Sequence, residues 1–367
     1  MPQLVAIALT GQNFVDAMRR VWDDGDAVLP VDPRLPVPSA RALLDVMRPA
    51  RIIDGDSSPT EFSDALPTEA GDALVVPTSG STGIPKGVVH THRSIEASAR
   101  STSAALGVDP TNDRWLCCLP LSHIAGLAVV TRALVHEMAL EVHDRFEAEA
   151  VMDASARGAT LTSLVPTALT RVDASAFRRI IVGGSAAPSS LPQNCVMSYG
   201  MTETGSAIVF DGRSLPGVEV RIIDGEIQVR GDMLLRCYRD GTDPRTSDGW
   251  LPTNDAGELI ADVLTVSGRR GDLIITGGEN VWPAPVEAVL GSLPSVAEVA
   301  VIGRPDTEWG QAITAVIVPS DPAVPPSLDA LREAVKESLP AFCAPRRIEL
   351  VTALPRTPLG KVERRSL

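Results

Sequence analysis

Across residues 1 to 180, short apolar runs alternate with longer runs of helical period: "DALVVP", "SIEASARSTSAALG", "DRWLCCLPL", "GLAVVTRALVHE", "ATLTSLVP" and "RRIIVGG". This succession calls for an α/β sheet covered by helices, because each apolar run needs a neighbouring strand and each amphipathic helix needs a sheet face. The texture changes after residue 206. "VEVRIIDGEIQVRG" alternates with period two around Asp224-Gly225, a dipeptide suited to a two-residue hairpin, so a small β-rich subdomain is expected over about residues 207–268. "SGRRGDLI", residues 267 to 274, is charged and glycine-interrupted and reads as an interdomain linker. Beyond it, "PAPVEAVLGSL" reads as a helix and "VAEVAVIG" and "AITAVIVP" as strands. "SLDALREAVKESL" reads as an amphipathic helix with Leu328, Leu331, Val335 and Leu339 on one face. The expected organisation is a large N-terminal domain over residues 1–270 and a small α+β domain over residues 271–367.

A net charge of −13 excludes a broad basic face, and with it nucleic acid or insertion into an anionic membrane as partners. Any anionic substrate must be held by local groups. The N-terminal apolar run "LVAIAL" is too short for a signal or transmembrane segment and lacks a basic flank. Five cysteines without C-x-x-C spacing read as reduced core residues of a cytoplasmic protein. Of 33 Lys and Arg residues only Lys86, Lys336 and Lys361 are lysines, and two of them adjoin glycine, in "IPKGV" and "PLGKV".

Lys86 closes the segment "VVPTSGSTGIPKGVVHTH", residues 75 to 92. Gly80 and Gly83 let a ligand approach the backbone, Ser79, Ser81 and Thr82 supply donors, and Lys86 supplies charge. The segment is a phosphate cradle without the Walker pattern, because Gly87 stands where a magnesium-binding hydroxyl would follow the lysine. His90 and His92 have the spacing for one side of a strand; no third ligand accompanies them, so a zinc site is not expected.

Three further glycine-bearing segments share this character: "IIVGGSAAP" (180–188), "SYGMTETGS" (198–206) and "GRRGDLIITGGENVWP" (268–283). In this order, and with the closing "PRTPLGK", the chain from about residue 70 onward resembles the acyl-adenylate-forming superfamily of acyl-CoA synthetases, peptide-synthetase adenylation domains and luciferases. The resemblance implies α/β sheet subdomains with a small β-barrel-like subdomain, followed by a mobile C-terminal domain. It also implies ATP, Mg²⁺ and coenzyme A as cofactor and co-substrates, and a homodimer as a family-level expectation.

The implied chemistry is attack of a carboxylate on the α-phosphate of ATP, which requires positioning and neutralisation of charge on the phosphoryl oxygens. By resemblance, Thr78, Ser79, Gly80, Ser81, Thr82, Gly83 and Lys86 hold the departing β- and γ-phosphates. Thr202 contacts the α-phosphate, and Glu203 binds Mg²⁺. Tyr199 with Gly184 and Ser185 sandwiches adenine, while Asp255 accepts from the ribose hydroxyls, aided by Arg269. Where the family usually carries glycine before this aspartate, the chain has Asn254. Lys361 bridges carboxylate and α-phosphate, and Gly271 is the hinge about which the C-terminal domain turns. Gly277 and Gly278 then line the pantetheine tunnel. His123, with Gly200, borders the acid site.

The 76 residues before Pro77 are fewer than acyl-CoA synthetases usually carry, so an abbreviated N-terminal portion is expected. This compactness, with "HIAGLAVVTRAL" and "GGENVWPAPVE", looks like the 2-succinylbenzoate:CoA ligases of menaquinone biosynthesis. Arg132 occupies the position where such ligases direct an arginine to the second carboxylate of an aromatic dicarboxylic acid, a group that arginine binds bidentately. Two alternatives stay open: a ligase for another aryl or acyl acid, and a non-catalytic nucleotide-binding homologue.

Overall fold

The computed structural model describes residues 1–55, 59–78, 85–184, 190–356 and 362–367. The chain divides into two compact units. The first contains Met1–Arg221, Gln228–Pro252 and Ile260–Leu264, and the second Ile222–Ile227, Thr253–Leu259 and Thr265–Leu367.

Two seven-stranded sheets carry the first unit. In one, the strands run in the order Cys237–Tyr238, Lys86–Thr91, Asp72–Thr78, Ala27–Pro30, Leu4–Ile7, Arg51–Ile53 and Thr60–Glu61. Its centre is parallel, and its two ends are antiparallel. Parallel neighbours require a crossover, which the helices Gly11–Asp23 and Val37–Met47 provide. The other sheet runs Arg213–Ser214, Ser206–Phe210, Cys195–Met201, Arg179–Val182, Leu161–Leu164, Arg114–Cys117 and Ala139–Val142. Its helices include Ile124–Val135 and Ala148–Ala156. Central strands such as "LVAI" and "LTSL" are buried at every position, as parallel strands covered on both faces must be. Phe14, Met18, Leu74, Trp115, Leu127 and Leu161 form one continuous core.

The alternating runs of residues 1–180 therefore fold as the sequence implies. All five cysteines are buried and free. Burial pushes the Cys117 and Cys118 thiols up to about 12 and about 11, which keeps them protonated and unreactive. Two expectations are revised. The histidines do not share a strand: it ends at Thr91, whose hydroxyl accepts from the Ser94 N–H (3.1 Å) and starts the helix His92–Leu106. His92 then packs edge-on against Trp22, with ring centroids 5.1 Å apart. The β-rich stretch after residue 206 is only partly segregated: Glu219–Ile223, Glu226–Arg230, Leu251–Ile260 and Val263–Arg269 form a four-stranded sheet of their own, while the remaining strands join the large sheets. Ser206–Phe210 and Arg213–Ser214 extend one large sheet, and Cys237–Tyr238 closes the edge of the other. The expected hairpin does form, with Asp224 and Gly225 at φ of 50° and 75°, the two left-handed residues of a type I′ turn.

In the second unit a sheet runs Glu279–Val281, Ile274–Thr276, Gly310–Pro319 and Val296–Asp306, and Arg347–Leu350 pairs in parallel with Gly310–Pro319. Helices Pro283–Gly291 and Leu328–Ser338 contribute Val286, Leu290, Leu331 and Val335 to its core. The chain on either side of residues 357–361 is anchored here. Val362 packs with Ala300, Val316 and Leu354, and Arg364 pairs with Glu287 (2.7 Å) and Asp272 (3.4 Å).

Gly126 lies in the first turn of Ile124–Val135, where a Cβ would stand 2.4 Å from the Pro120 carbonyl oxygen. Backbone cannot retreat as a side chain can, so Gly126→Ala is expected to cost about 1–3 kcal/mol. Urea unfolding monitored by circular dichroism would measure the change.

Candidate functional site

The residues expected at the phosphates converge where the two large sheets of the first unit meet. Thr78 and Lys86 face each other as the last pair of an antiparallel ladder, and the Thr78 hydroxyl donates to the Lys86 carbonyl (3.4 Å). This pairing brings together the two ends of the cradle segment; Ser79, Gly80, Ser81, Thr82 and Gly83 lie outside the described residues. Gly87, next to Lys86, has no room for a side chain, since a Cβ would be 2.7 Å from Met47 Sδ and 2.8 Å from Val75.

From the other sheet, Cys195–Met201 delivers Tyr199 and Gly200 and then turns through Thr202–Thr204. A bulge between Tyr199 and Gly200 bends the strand as it reaches the turn. Gly200 is required at that bend, because a Cβ would lie 2.2 Å from the Ser206 carbonyl oxygen.

The turn is tied to the first sheet at three atoms. His90 Nε2 donates to the Thr202 carbonyl (2.7 Å), the Leu235 N–H donates to the Glu203 carbonyl (2.8 Å), and the Tyr238 hydroxyl donates to Glu203 Oε1 (3.0 Å). Lys86 Nζ sits over the ring of the same tyrosine, 4.7 Å from its centroid. Lys86 and Glu203 are thus assembled around Tyr238, which the motifs did not single out. Its position follows from pairing with Val88, a register between distant segments that no local pattern encodes. Arg236 and Arg239 hold that short strand. Arg236 grips the buried Asp72 carboxylate through two bonds of 2.8 and 2.9 Å, and Arg239 donates to the carbonyls of Met47, Leu66 and Pro67.

His90 is fully buried, and burial pushes its pKa down to about 4 against the opposing pull of the Thr202 carbonyl. It is therefore a neutral ring with its proton on Nε2, and Nδ1 lies 3.2 Å from Ser94 Oγ.

Arg132 and His123 belong to the helix that follows the second sheet's Arg114–Cys117 strand. His123, half-buried, occupies the N-cap, and Arg132 lies in the last turn. The Arg132 guanidinium is 3% exposed, stacks over Trp115 at 5.5 Å, and donates through Nη2 to Ser206 Oγ. Its Nε has no partner among the described residues. Burial pulls its pKa down to about 9, and no carboxylate among the described residues is paired with it. Gly184, exposed at φ 91°, follows the Arg179–Val182 strand, and Ser185 lies outside the described residues.

The residues expected at the ribose lie in the second unit. Asp255 is buried and pairs with Arg269 (Nε to Oδ1, 3.1 Å), and Arg269 also donates to the Thr253 carbonyl (2.9 Å). Asn254 has φ 58°, a left-handed conformation in which glycine is free and asparagine is the best-tolerated alternative. The departure from the family pattern is thus conformationally neutral. Gly271 sits in the single turn Arg270–Asp272, and a Cβ there would meet nothing within 4 Å. Gly277 and Gly278, at φ 59° and 84°, form the two-residue turn between Ile274–Thr276 and Glu279–Val281. A Cβ on Gly277 would strike the Trp309 ring at 2.7 Å. Lys361 lies outside the described residues.

An α/β sheet pair that gathers a lysine, a carboxylate and hydroxyls at converging strand ends is a phosphate-handling enzyme scaffold. The AMP-binding enzyme profile matches residues 19–239, and that of the AMP-binding enzyme C-terminal domain matches residues 285–361. The chain belongs to the AMP-binding enzyme family. It is 36% identical over 381 aligned positions to the probable 2-succinylbenzoate–CoA ligase of Mycobacterium tuberculosis H37Rv, covering 96% of this chain and 94% of that one. With the 2-succinylbenzoate–CoA ligase of Bacillus licheniformis it shares 36% identity, covering 80% of this chain and 69% of the relative. Among solved structures, o-succinylbenzoate coenzyme A synthetase (MenE) of Bacillus subtilis in complex with ATP and magnesium superposes with a TM-score of 0.88 at 30% identity, covering 100% of this chain and 89% of that one. The same enzyme with the acyl-adenylate intermediate OSB-AMP gives 0.86 at 29% identity, covering 98% and 87%.

Because His90 is neutral when folded but has a pKa near 6.5 when unfolded, the unfolded chain takes up its proton first as pH falls. Stability should decline from pH 6.5 toward 4, by up to about 3 kcal/mol from this residue. His90→Gln, which keeps a donor for the Thr202 carbonyl, is expected to flatten that slope in denaturant titrations at successive pH values. An unchanged slope would assign the acid sensitivity elsewhere.

Proposed function

We propose that this chain is an AMP-forming acid:CoA ligase that converts 2-succinylbenzoate first to its acyl-adenylate and then to 2-succinylbenzoyl-CoA, a step of menaquinone biosynthesis. In the first step a carboxylate oxygen bonds to the α-phosphorus of ATP as the bond to pyrophosphate breaks. In the second the CoA sulfur, losing its proton, bonds to the acyl carbon as AMP leaves. Lys86, beside Thr78 and the cradle segment, neutralises the departing phosphates, and the Thr202 hydroxyl contacts the α-phosphate. Mg²⁺ keeps phosphate and water ligands and asks the protein for only one or two carboxylates. Glu203 fits that demand, with one oxygen held by Tyr238; bound there, the ion would offset phosphate charge. Asp255 and Arg269 serve the ribose, and Tyr199 and Gly184 the adenine.

The observation that carries the choice of acid is Arg132, a buried guanidinium paired with no carboxylate among the described residues. A buried cation is costly without a counter-charge. A substrate with two carboxylates supplies one: the first is activated and the second faces Arg132, while His123 and Gly200 border the acid. Pyrophosphate release should be fastest with 2-succinylbenzoate in a panel that includes benzoate and aliphatic acids. Arg132→Met should raise the KM for that acid by at least about tenfold, with the KM for ATP little changed. Faster turnover of a monocarboxylic acid by the unaltered enzyme would overturn the assignment.

The C-terminal domain, over residues 271–367 in this reading, carries Lys361 for adenylation and turns at Gly271 so that Gly277 and Gly278 serve the pantetheine arm. The open space around Gly271 supports the pivot: glycine there answers no steric demand of the present conformation. Gly271→Pro is expected to slow thioester formation more than adenylation, measured as acyl-CoA yield against ATP–pyrophosphate exchange, whereas equal slowing would count against the hinge.

A further inference from the structure

Lys86, at the start of a strand in one sheet, and Glu203, in the turn after a strand of the other, are opposite charges that both touch Tyr238. A direct ion pair between them would be the default outcome of such proximity. It would turn the Lys86 ammonium away from incoming phosphate and occupy the carboxylate that a divalent cation requires. The tyrosine offers each group a separate partner: its ring face takes the ammonium, and its hydroxyl takes Glu203 Oε1 at 3.0 Å. A tyrosine has only two side-chain torsions, and this one is held at the backbone. Its N–H donates to the Thr242 carbonyl (2.8 Å), the nearby Arg236 grips Asp72, and Arg239 is bound to the carbonyls of Met47, Arg48, Leu66 and Pro67. The spacer is therefore more rigid than either charge it separates.

We infer that Tyr238 is a positioning residue that keeps Lys86 and Glu203 apart and orients the Glu203 carboxylate for the divalent cation that accompanies ATP. The inference rests on the adenylation reading of this site. Lys86 lies two residues before Val88, the residue paired with Tyr238, so lysine and tyrosine are diagonal neighbours on one face of the sheet edge. Glu203 arrives from the other sheet. Tyr238 is thus the side chain through which the lysine of one sheet and the carboxylate of the other are set in mutual register.

The two contacts can be removed separately. Tyr238→Phe keeps the ring beneath Lys86 and deletes the hydroxyl, and Tyr238→Leu deletes both. ATP–pyrophosphate exchange by the full chain with 2-succinylbenzoate, titrated in Mg²⁺ and in ATP, should show the Mg²⁺ half-saturation of Tyr238→Phe raised about tenfold, the scale of one hydrogen bond to a charged group. Its KM for ATP at saturating Mg²⁺ should stay within about threefold of the unaltered enzyme, while Tyr238→Leu should raise both constants. Glu203→Gln serves as the reference. If it shifts the Mg²⁺ dependence and Tyr238→Phe does not, the positioning role is overturned and the adenylation reading stands. If Glu203→Gln retains exchange with unaltered Mg²⁺ dependence, the metal assignment of Glu203 fails and the positioning role fails with it. A loss of kcat in both tyrosine variants with neither constant changed would mark Tyr238 as structural support only. Tyr238→Phe, which preserves the packed ring, decides the matter even if the leucine variant does not fold.

Discussion

The bond from His90 to the Thr202 carbonyl is the constraint around which the cluster of Lys86, Glu203 and Tyr238 is organised. One sheet brings the lysine and the other the carboxylate, so their usefulness depends on how firmly the two sheets are held at that edge. A fully buried, neutral imidazole suits the task, since it donates one directional bond in a region that excludes competing water. The Leu235 and Tyr238 contacts then hold the Glu203 backbone and carboxylate. The turn Thr202–Thr204 is short, closed internally by the Thr204 hydroxyl and ended by Gly205 at φ 68°, and these external partners fix where it sits.

Charge is handled locally in a chain of net charge −13. Most arginines are committed to structural pairs, among them Arg178 with Asp113, Arg236 with Asp72 and Arg304 with Glu349. Lys86 and Arg132 differ from these. The first rests on an aromatic face, and the second is buried against Trp115 and a serine hydroxyl, so neither forms a salt bridge to a carboxylate among the described residues. An acidic enzyme that binds polyanions needs cations left in this condition, because a cation already ion-paired has little attraction to offer a phosphate or carboxylate.

Much of this was legible in the residues. The alternation of apolar runs led to the α/β sheets, and Leu331 and Val335 are buried on the helix face their spacing indicated. The glycine and hydroxyl segments marked the strand ends that carry Thr78, Lys86, Tyr199 and Thr202. Legibility failed where a side chain's partner is remote. His90 and His92 looked like neighbours on one strand, but the capping hydroxyl of Thr91 starts a helix between them. The β-rich stretch does hold a four-stranded sheet of its own, yet Ser206–Phe210, Arg213–Ser214 and Cys237–Tyr238 join the large sheets, since a strand joins whichever sheet edge its backbone can reach.

The sequence by itself determined the class of scaffold and the positions of the glycine- and hydroxyl-bearing segments, because periodicity and glycine requirements are local properties of a chain. Only the tertiary structure decided which groups those segments would meet. Tyr238 became the partner of both Lys86 and Glu203, and Arg132 became a buried cation, through strand registers and helix placement between residues far apart in the chain. Such contacts depend on the packing of whole sheets, which no window of sequence contains.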